Sequence, residues 1–221
     1  MIGVPRQALR VLVTGFEPFD GEALNPSWEV ARSLADTAMP GVQLCAAQLP
    51  CTFAGSLPAL QAAVARHRPQ VVLALGLAGN RSAVSVERVA VNLVDARIAD
   101  NAGERPLDLP VVRGGPAAYF STLPVKAIAA ALAGKGLPAE VSFTAGSFVC
   151  NQVFYGLMHS LRRRPTVRAG FIHLPPLPEQ STRHPGSRAL PLALQVLALR
   201  CMVEVLLSPT EEPSTPVGQV S

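Results

Sequence analysis

The sequence predicts an α/β fold: a three-layer α/β/α sandwich around a mixed, mostly parallel sheet. Three observations predict it. Short apolar runs alternate with segments of helical periodicity along most of the chain, as strands joined by crossover helices do. One run, residues 71–75 (VVLAL), is apolar at every position, as a strand covered on both faces requires. With 221 residues, 49% hydrophobic and 15% charged, the chain has material for one full core and is not a disordered composition.

The elements follow in order. Residues 10–14 (RVLVT) read as a buried strand stopped by Gly15. Asn25 suits an N-cap and Pro26 a first helical position, so a helix runs from there to about Asp36. Residues 42–48 form a second strand, and Phe53, Leu57, Leu60 and Val64 mark a second helix. The run at 71–75 is followed by a partly alternating strand region over 84–94. Residues 95–115 are polar with Gly and Pro and read as a long loop, a kind that tends to carry function. A helix is expected over 116–133, closed by Gly134. A strand near Val141 and a helix with Phe154, Leu157, Met158 and Leu161 on one face come next. A strand over 167–174 precedes the last helix, at about 187–207. That helix is apolar on several faces and needs burial on several sides, part of which a second subunit would supply. Gln195, Arg200 and Glu204 interrupt it and argue against a membrane span. A single catalytic domain over 1–207 is expected, with the tail from Ser208 (SPTEEPSTPVGQVS) disordered.

Composition narrows the function. The net charge of +4 is mild, and the one basic cluster, Arg162, Arg163 and Arg164, falls at a helix C-terminus where cations suit the dipole. Nucleic-acid binding is therefore not expected. The four cysteines, Cys45, Cys51, Cys150 and Cys201, form no C-x-x-C pair, which excludes zinc-ribbon and thioredoxin readings. No residue cluster has metal-ligand spacing, so neither a metal nor a cofactor is expected. The first residues, MIGVPRQALR, hold no long apolar run. Together with the free thiols this points to the reducing cytoplasm.

The chemistry centres on Cys150, in VSFTAGSFVCNQVFYGLMHSL. A strand, a break at Gly146 and an N-cap at Ser147 place this thiol in the first turn of a helix. Backbone N–H groups and the helix dipole stabilise a thiolate there. Such a nucleophile wants a base, and the base wants a group that orients it. Among four histidines, His67 sits between arginines, His159 lies inside the Cys150 helix, and His184 is in a polar loop. His173, in FIHLPPLPEQ, ends an apolar strand. Glu87, in VSVERVAVN, lies within or just after another strand. Sites in open α/β sheets gather at the carboxyl ends of strands.

Four blocks occur in order: LVTGFEPFDGEALNPSWEVA, GLAGNRSAVSVERVAVNLVDARIADN, FTAGSFVCNQVFYGLMH and GFIHLPPLPEQ. Over residues 11–180 the chain thereby resembles the type I pyroglutamyl peptidases, also called pyrrolidone-carboxylate peptidases, a cysteine peptidase family. The resemblance implies a phosphorylase/hydrolase-like sandwich and a Cys–His–Glu triad, which falls on Cys150, His173 and Glu87. It implies a pyroglutamyl ring held between Phe16 and Phe19, with the lactam bonded by Asn25 and by backbone near Leu77. Arg97 would join the Cys150 backbone N–H at the oxyanion. Read locally, both rings instead pack in the core, Asn25 caps its helix, and Arg97 pairs with Asp95 or Asp100. The implied reaction is removal of N-terminal pyroglutamate from peptides through a thioester, with no cofactor, in a homotetramer. The chain departs from the family pattern at Asp20, where glycine is usual, and at Asn80, Ala99, Gln152 and Pro176. Two rival readings remain. One is a nucleoside phosphorylase-like enzyme that uses GLAGNRS and Arg81 for phosphate. The other is a binding protein without catalysis.

Overall fold

The structure is a computed structural model and describes residues 8–208 and 211–218. Its elements run β1 (Leu9–Phe16), α1 (Pro26–Ala35), β2 (Val42–Leu49), α2 (Ser56–His67), β3 (Val71–Leu77), β4 (Val84–Glu87), β5 (Val89–Val91), β6 (Ala118–Phe120), α3 (Val125–Gly134), β7 (Ala139–Ser142), α4 (Val149–Leu161), β8 (Arg168–Leu174) and α5 (Leu192–Leu206). The main sheet has the order β2-β1-β3-β8-β4-β7. Its neighbours are parallel except β4 and β8, which are antiparallel. Strands β5 and β6 form a separate antiparallel pair. The expected α/β sandwich with a mixed, mostly parallel sheet is the one observed.

The pleat divides the core in two. Val11 and Val13 of β1, with Val71, Leu73 and Leu75 of β3, face the layer of α1, α3 and α5. Leu12, Val72 and Ala74 face α2 and α4. Central strands covered on both sides need apolar residues at every position, which is why 71–75 reads as an unbroken run. Strand β1 also lies close under α1. A Cβ on Gly15 would stand 2.3 Å from the backbone of Ser27, and the Ser27 hydroxyl accepts from the Phe16 N–H at 2.9 Å. This contact fixes where β1 ends and where the Asn25 cap begins.

Three elements differ from expectation. The region 84–94 is two strands in two sheets, with the turn at Arg88, whose N–H donates to Ser142 O at 2.7 Å. The expected helix over 116–133 is a short strand followed by a helix that starts only at Val125. Pro124 disfavours helical backbone before it, and Ser121 and Thr122 instead bond the Ala169 backbone of β8. The last helix starts at Leu192, after an extended Pro191, and not at 187. Among the described residues no helix is long and apolar enough to cross a membrane.

The tail also departs from the expectation of disorder where it is described, at 211–218. Helix α3 follows Pro124, which offers no side-chain cap. Glu212 supplies one: its Oε2 accepts from the N–H groups of Lys126 and Ala127, both at 3.0 Å. A carboxylate there satisfies two orphan donors and suits the positive end of the helix. Lys126 Nζ donates to Thr215 O, and Val217 packs on the core. Glu212→Ala should therefore lower stability by about 1 kcal/mol, and Glu212→Gln by less. Denaturant midpoints check this, and an unchanged midpoint for Glu212→Ala would contradict the capping role.

Candidate active site

The centre of the site is a buried ion network. His173 is the penultimate residue of β8, and Ser85 of β4 is its cross-strand partner. Glu87 lies two residues on from Ser85, so it shares the His173 face and is its diagonal neighbour across the antiparallel pair. The reach is made: His173 Nδ1 stands 2.7 Å from Glu87 Oε1. Because β4 runs antiparallel to β8, Glu87 comes up from below His173 rather than from a shared carboxyl edge. Glu87 has no exposed surface. A buried carboxylate needs a compensating cation, and Arg81 provides it, with Nη1 donating to the same Oε1 at 2.6 Å. The Arg81 Nη2 donates to Thr144 O, also at 2.6 Å. With Nδ1 committed to the carboxylate, Nε2 is the ring nitrogen left for proton transfer.

Cys150 is the second residue of α4. Ser147 is not the cap; its hydroxyl donates to Asp95 O at 2.7 Å. The N-cap is Phe148, which contributes no side-chain bond, so the first N–H groups of α4 have no side-chain acceptor. The sulfur also lies over the end of β3. A Cβ on Gly76 would come within 2.8 Å of both Cys150 Sγ and the Phe171 ring. Gly76 is the parallel partner of His173, so the thiol stands over the β3 position that is paired in register with His173. Two side chains pin the turn that carries the thiol. Asn151 pairs with the backbone of Val91 and Leu93, and Gln152 donates to Phe53 O. Burial pushes the Cys150 thiol well up, and the nearby Cys51 and Glu87 add to the rise, while Arg81 and the Cys150 backbone N–H oppose it. The stable thiolate expected from the helix N-terminus is thus outweighed by desolvation.

A cavity of about 180 Å³ opens beside Cys150. That is below the roughly 300–1,000 Å³ of sites for drug-sized ligands, so it suits one small ring. Phe16, Phe19, Asn25, Leu77 and Cys51 line it together with Phe148, Glu22 and His184. Phe19 and Phe148 pack at 5.3 Å between ring centroids, and Phe53 backs Phe148 edge-on. Phe16 serves core and cavity alike, at 2% exposure. Asn25 is the helix cap, accepting from Ser27 N and Oγ, and its Nδ2 donates to Glu17 O. Both acceptor positions of that amide are used, which leaves one N–H hydrogen for a ligand.

Arg97 is not brought to the cavity. It is exposed, it is absent from the lining, and among the described residues it pairs with neither Asp95 nor Asp100. Asp100 instead accepts from Phe53, Ala102 and Glu104 backbone N–H groups. Three contributors escaped the sequence reading. The sequence reading gives Arg81 only as a phosphate ligand and His184 only as a polar-loop residue, and it gives Phe148 no role. The glycines around Arg81, in GLAGNRS, were the available signal for a tight turn at a strand end.

A thiol at a helix N-terminus, an imidazole and a buried carboxylate are the kinds of group a cysteine hydrolase uses. Residues 9–208 match the family model described as pyroglutamyl peptidase. The pyrrolidone-carboxylate peptidase of Gloeobacter violaceus is 55% identical over 200 residues, 90% of this chain and 98% of that one. That of Pectobacterium atrosepticum is 54% identical over 198 residues, 89% and 92% of the two chains. The crystal structure of pyroglutamyl peptidase I from Bacillus amyloliquefaciens aligns with a TM-score of 0.84 at 43% identity, covering 88% of this chain and 94% of that one. A mutant pyrrolidone carboxyl peptidase from the hyperthermophile Pyrococcus furiosus aligns at 0.85 with 38% identity, covering 90% and 98%. The chain belongs to the pyroglutamyl peptidase family. It is a hydrolase of the cysteine peptidase class, and family and structural neighbours support pyroglutamyl peptidase activity; they lend nothing to a phosphorylase or a binding protein.

Burial also pushes Cys51 up, to about 12 from an ordinary 9.0, with Glu17 and Asp100 contributing. Both thiols therefore hold their protons in the folded chain at pH values where the unfolded chain has released them. Stability should be unaffected by them below about pH 9. It should then fall as pH rises, by about 1.4 kcal/mol per unit for each thiol. Denaturation midpoints taken under reductant between about pH 8 and pH 10.5 should fall less steeply in Cys51→Ala than in the wild type. Parallel curves would contradict this burial.

Proposed function

We propose that Cys150, His173 and Glu87 carry out the hydrolysis of an N-terminal pyroglutamyl bond. The observation that carries this reading is the 2.7 Å contact between His173 Nδ1 and the buried Glu87, with the thiol over Gly76, the register partner of His173. Glu87 holds the imidazole with Nδ1 protonated, so Nε2 takes the proton of the Cys150 thiol. The sulfur attacks the carbonyl that joins pyroglutamate to the next residue. The free N–H groups of the first turn of α4 receive the oxyanion, an effect worth roughly 3–4 kcal/mol per donor in comparable sites. His173 then protonates the departing amine. Water, deprotonated by the same nitrogen, hydrolyses the thioester and frees pyroglutamate.

The ring would lie against Phe19, Phe148 and Phe16. The remaining Nδ2 hydrogen of Asn25 would donate to the lactam carbonyl, and the end of β3 at Leu77 would accept from the lactam N–H. An ordinary N-terminal residue would have to bury an ammonium among these rings, which disfavours it strongly. Arg97, exposed and absent from the cavity lining, would have to swing in to join the Cys150 backbone N–H at the oxyanion, as the resemblance implies.

The proposal extends to one catalytic unit over 1–207, to a cytoplasmic setting supported by four free cysteines, and to a homotetramer. Exposed Leu194 and Leu197 on α5 support association, since a helix apolar on several faces is stable when several faces are covered.

Release of a fluorophore from a pyroglutamyl amide, in reductant and with a chelator, tests the reading. The wild type should be active and indifferent to the chelator. Cys150→Ser should lose at least about a thousandfold and Glu87→Gln roughly a hundredfold or more. Undiminished hydrolysis by Cys150→Ser would remove the assignment.

A further inference from the structure

The rim of the cavity carries a charge that the reaction just described does not use. Three loops meet there. Glu22 Oε1 accepts from Arg183 Nε at 3.1 Å and from His184 Nε2 at 3.0 Å. Arg183 also donates to the backbone oxygens of Asp20 and Gly21, at 2.5 and 3.4 Å. The His184 ring rests on Gly79, where a Cβ would come within 2.3 Å of Nδ1. This clasp closes the charge balance of Glu22. It does not close that of Asp20. Asp20 is exposed, lines the cavity, and among the described residues its carboxylate has neither a hydrogen bond nor an ion pair. Its backbone has φ +54°, a region that favours glycine and that Asp tolerates better than most residues.

We propose that Asp20 is a specificity-determining residue that favours substrates with a cationic second residue. The inference rests on the pyroglutamyl peptidase reading of the cavity. The floor, about 180 Å³ walled by buried groups such as Phe16 and Asn25, has room for the ring alone. The residue after pyroglutamate therefore lies across the exposed rim, within range of Asp20. The Arg183 cation is neutralised by Glu22 and held by backbone oxygens. The free cation Arg97 does not line the cavity. Among the described residues that line the cavity, Asp20 is thus the charge without a partner that the second residue meets. A Lys or Arg side chain is attracted to it, and an Asp or Glu side chain is repelled. In a solvated rim such terms are small, so the preference is modest and salt-sensitive.

Initial rates on pyroglutamyl-lysyl, pyroglutamyl-alanyl and pyroglutamyl-glutamyl amides test it in the wild type, Asp20→Asn and Asp20→Gly. Glycine suits the backbone at this position, so the second variant tolerates the conformation. Each variant is referred to its own rate on the alanyl substrate. At low salt the wild-type ratio of kcat/KM for lysyl over glutamyl substrate should be roughly threefold to tenfold. It should fall towards one in both variants, and in the wild type at about 1 M salt. A wild-type ratio of one, or a ratio unchanged in the variants, would overturn the inference and leave the peptidase reading standing. A folded wild type that cleaves none of the three would overturn the peptidase reading, and this inference with it.

Discussion

Glu87 carries a carboxylate into the interior, where an unpaired charge would cost several kcal/mol. One of its oxygens takes both Arg81 and His173, and much of the site follows from that. Arg81 must come from the turn after β3 to compensate the charge, and Thr144 must offer a carbonyl to the same guanidinium. The imidazole, in turn, has only one nitrogen left for a thiol. The pair exists because β4 enters the sheet antiparallel beside β8, which puts Glu87 on the His173 face one diagonal step away. A parallel β4 would place the carboxylate elsewhere.

Close backbone approach does the rest of the positioning. Gly15 lets β1 run under the start of α1, and Gly76 lets the thiol lie on the sheet. Asn151 and Gln152 hold the turn that carries Cys150 from either side, one to the segment after β4 and the other to the turn before α2. Cys150 is therefore placed by packing and amide hydrogen bonds rather than by a favourable charge. Burial works against its ionisation, and the imidazole has to supply what the helix N-terminus does not.

Much of this was legible in the sequence. The unbroken apolar run at 71–75 announced a strand buried on both faces, and the Asn25–Pro26 pair announced a helix start that the structure reproduces. Cys150 and His173 could be picked out because each sits at an end of a periodic segment. What escaped were contacts between segments far apart in the chain. The reversal of β4 depends on its pairing with β8, eighty-odd residues on. The bond from Arg81 to Glu87 depends on a turn whose direction no periodicity encodes. Ser147 looked like a cap by residue type, yet its hydroxyl turns to Asp95. The helix expected from Pro116 failed because Pro124 disfavours helical backbone before it and the hydroxyls of Ser121 and Thr122 bond the Ala169 backbone of β8. The tail reads as disordered by composition, but Glu212 finds a helix end that lacks a cap of its own.

The central claim is that Cys150 becomes acylated. Acid quenching of the wild type during turnover of a pyroglutamyl ester, followed by mass spectrometry of the intact chain and its peptides, tests it most directly. The account predicts a pyroglutamyl adduct confined to the peptide that contains Cys150, labile to hydroxylamine as a thioester is. Turnover with no adduct at any time point, or an adduct on another residue, would contradict it.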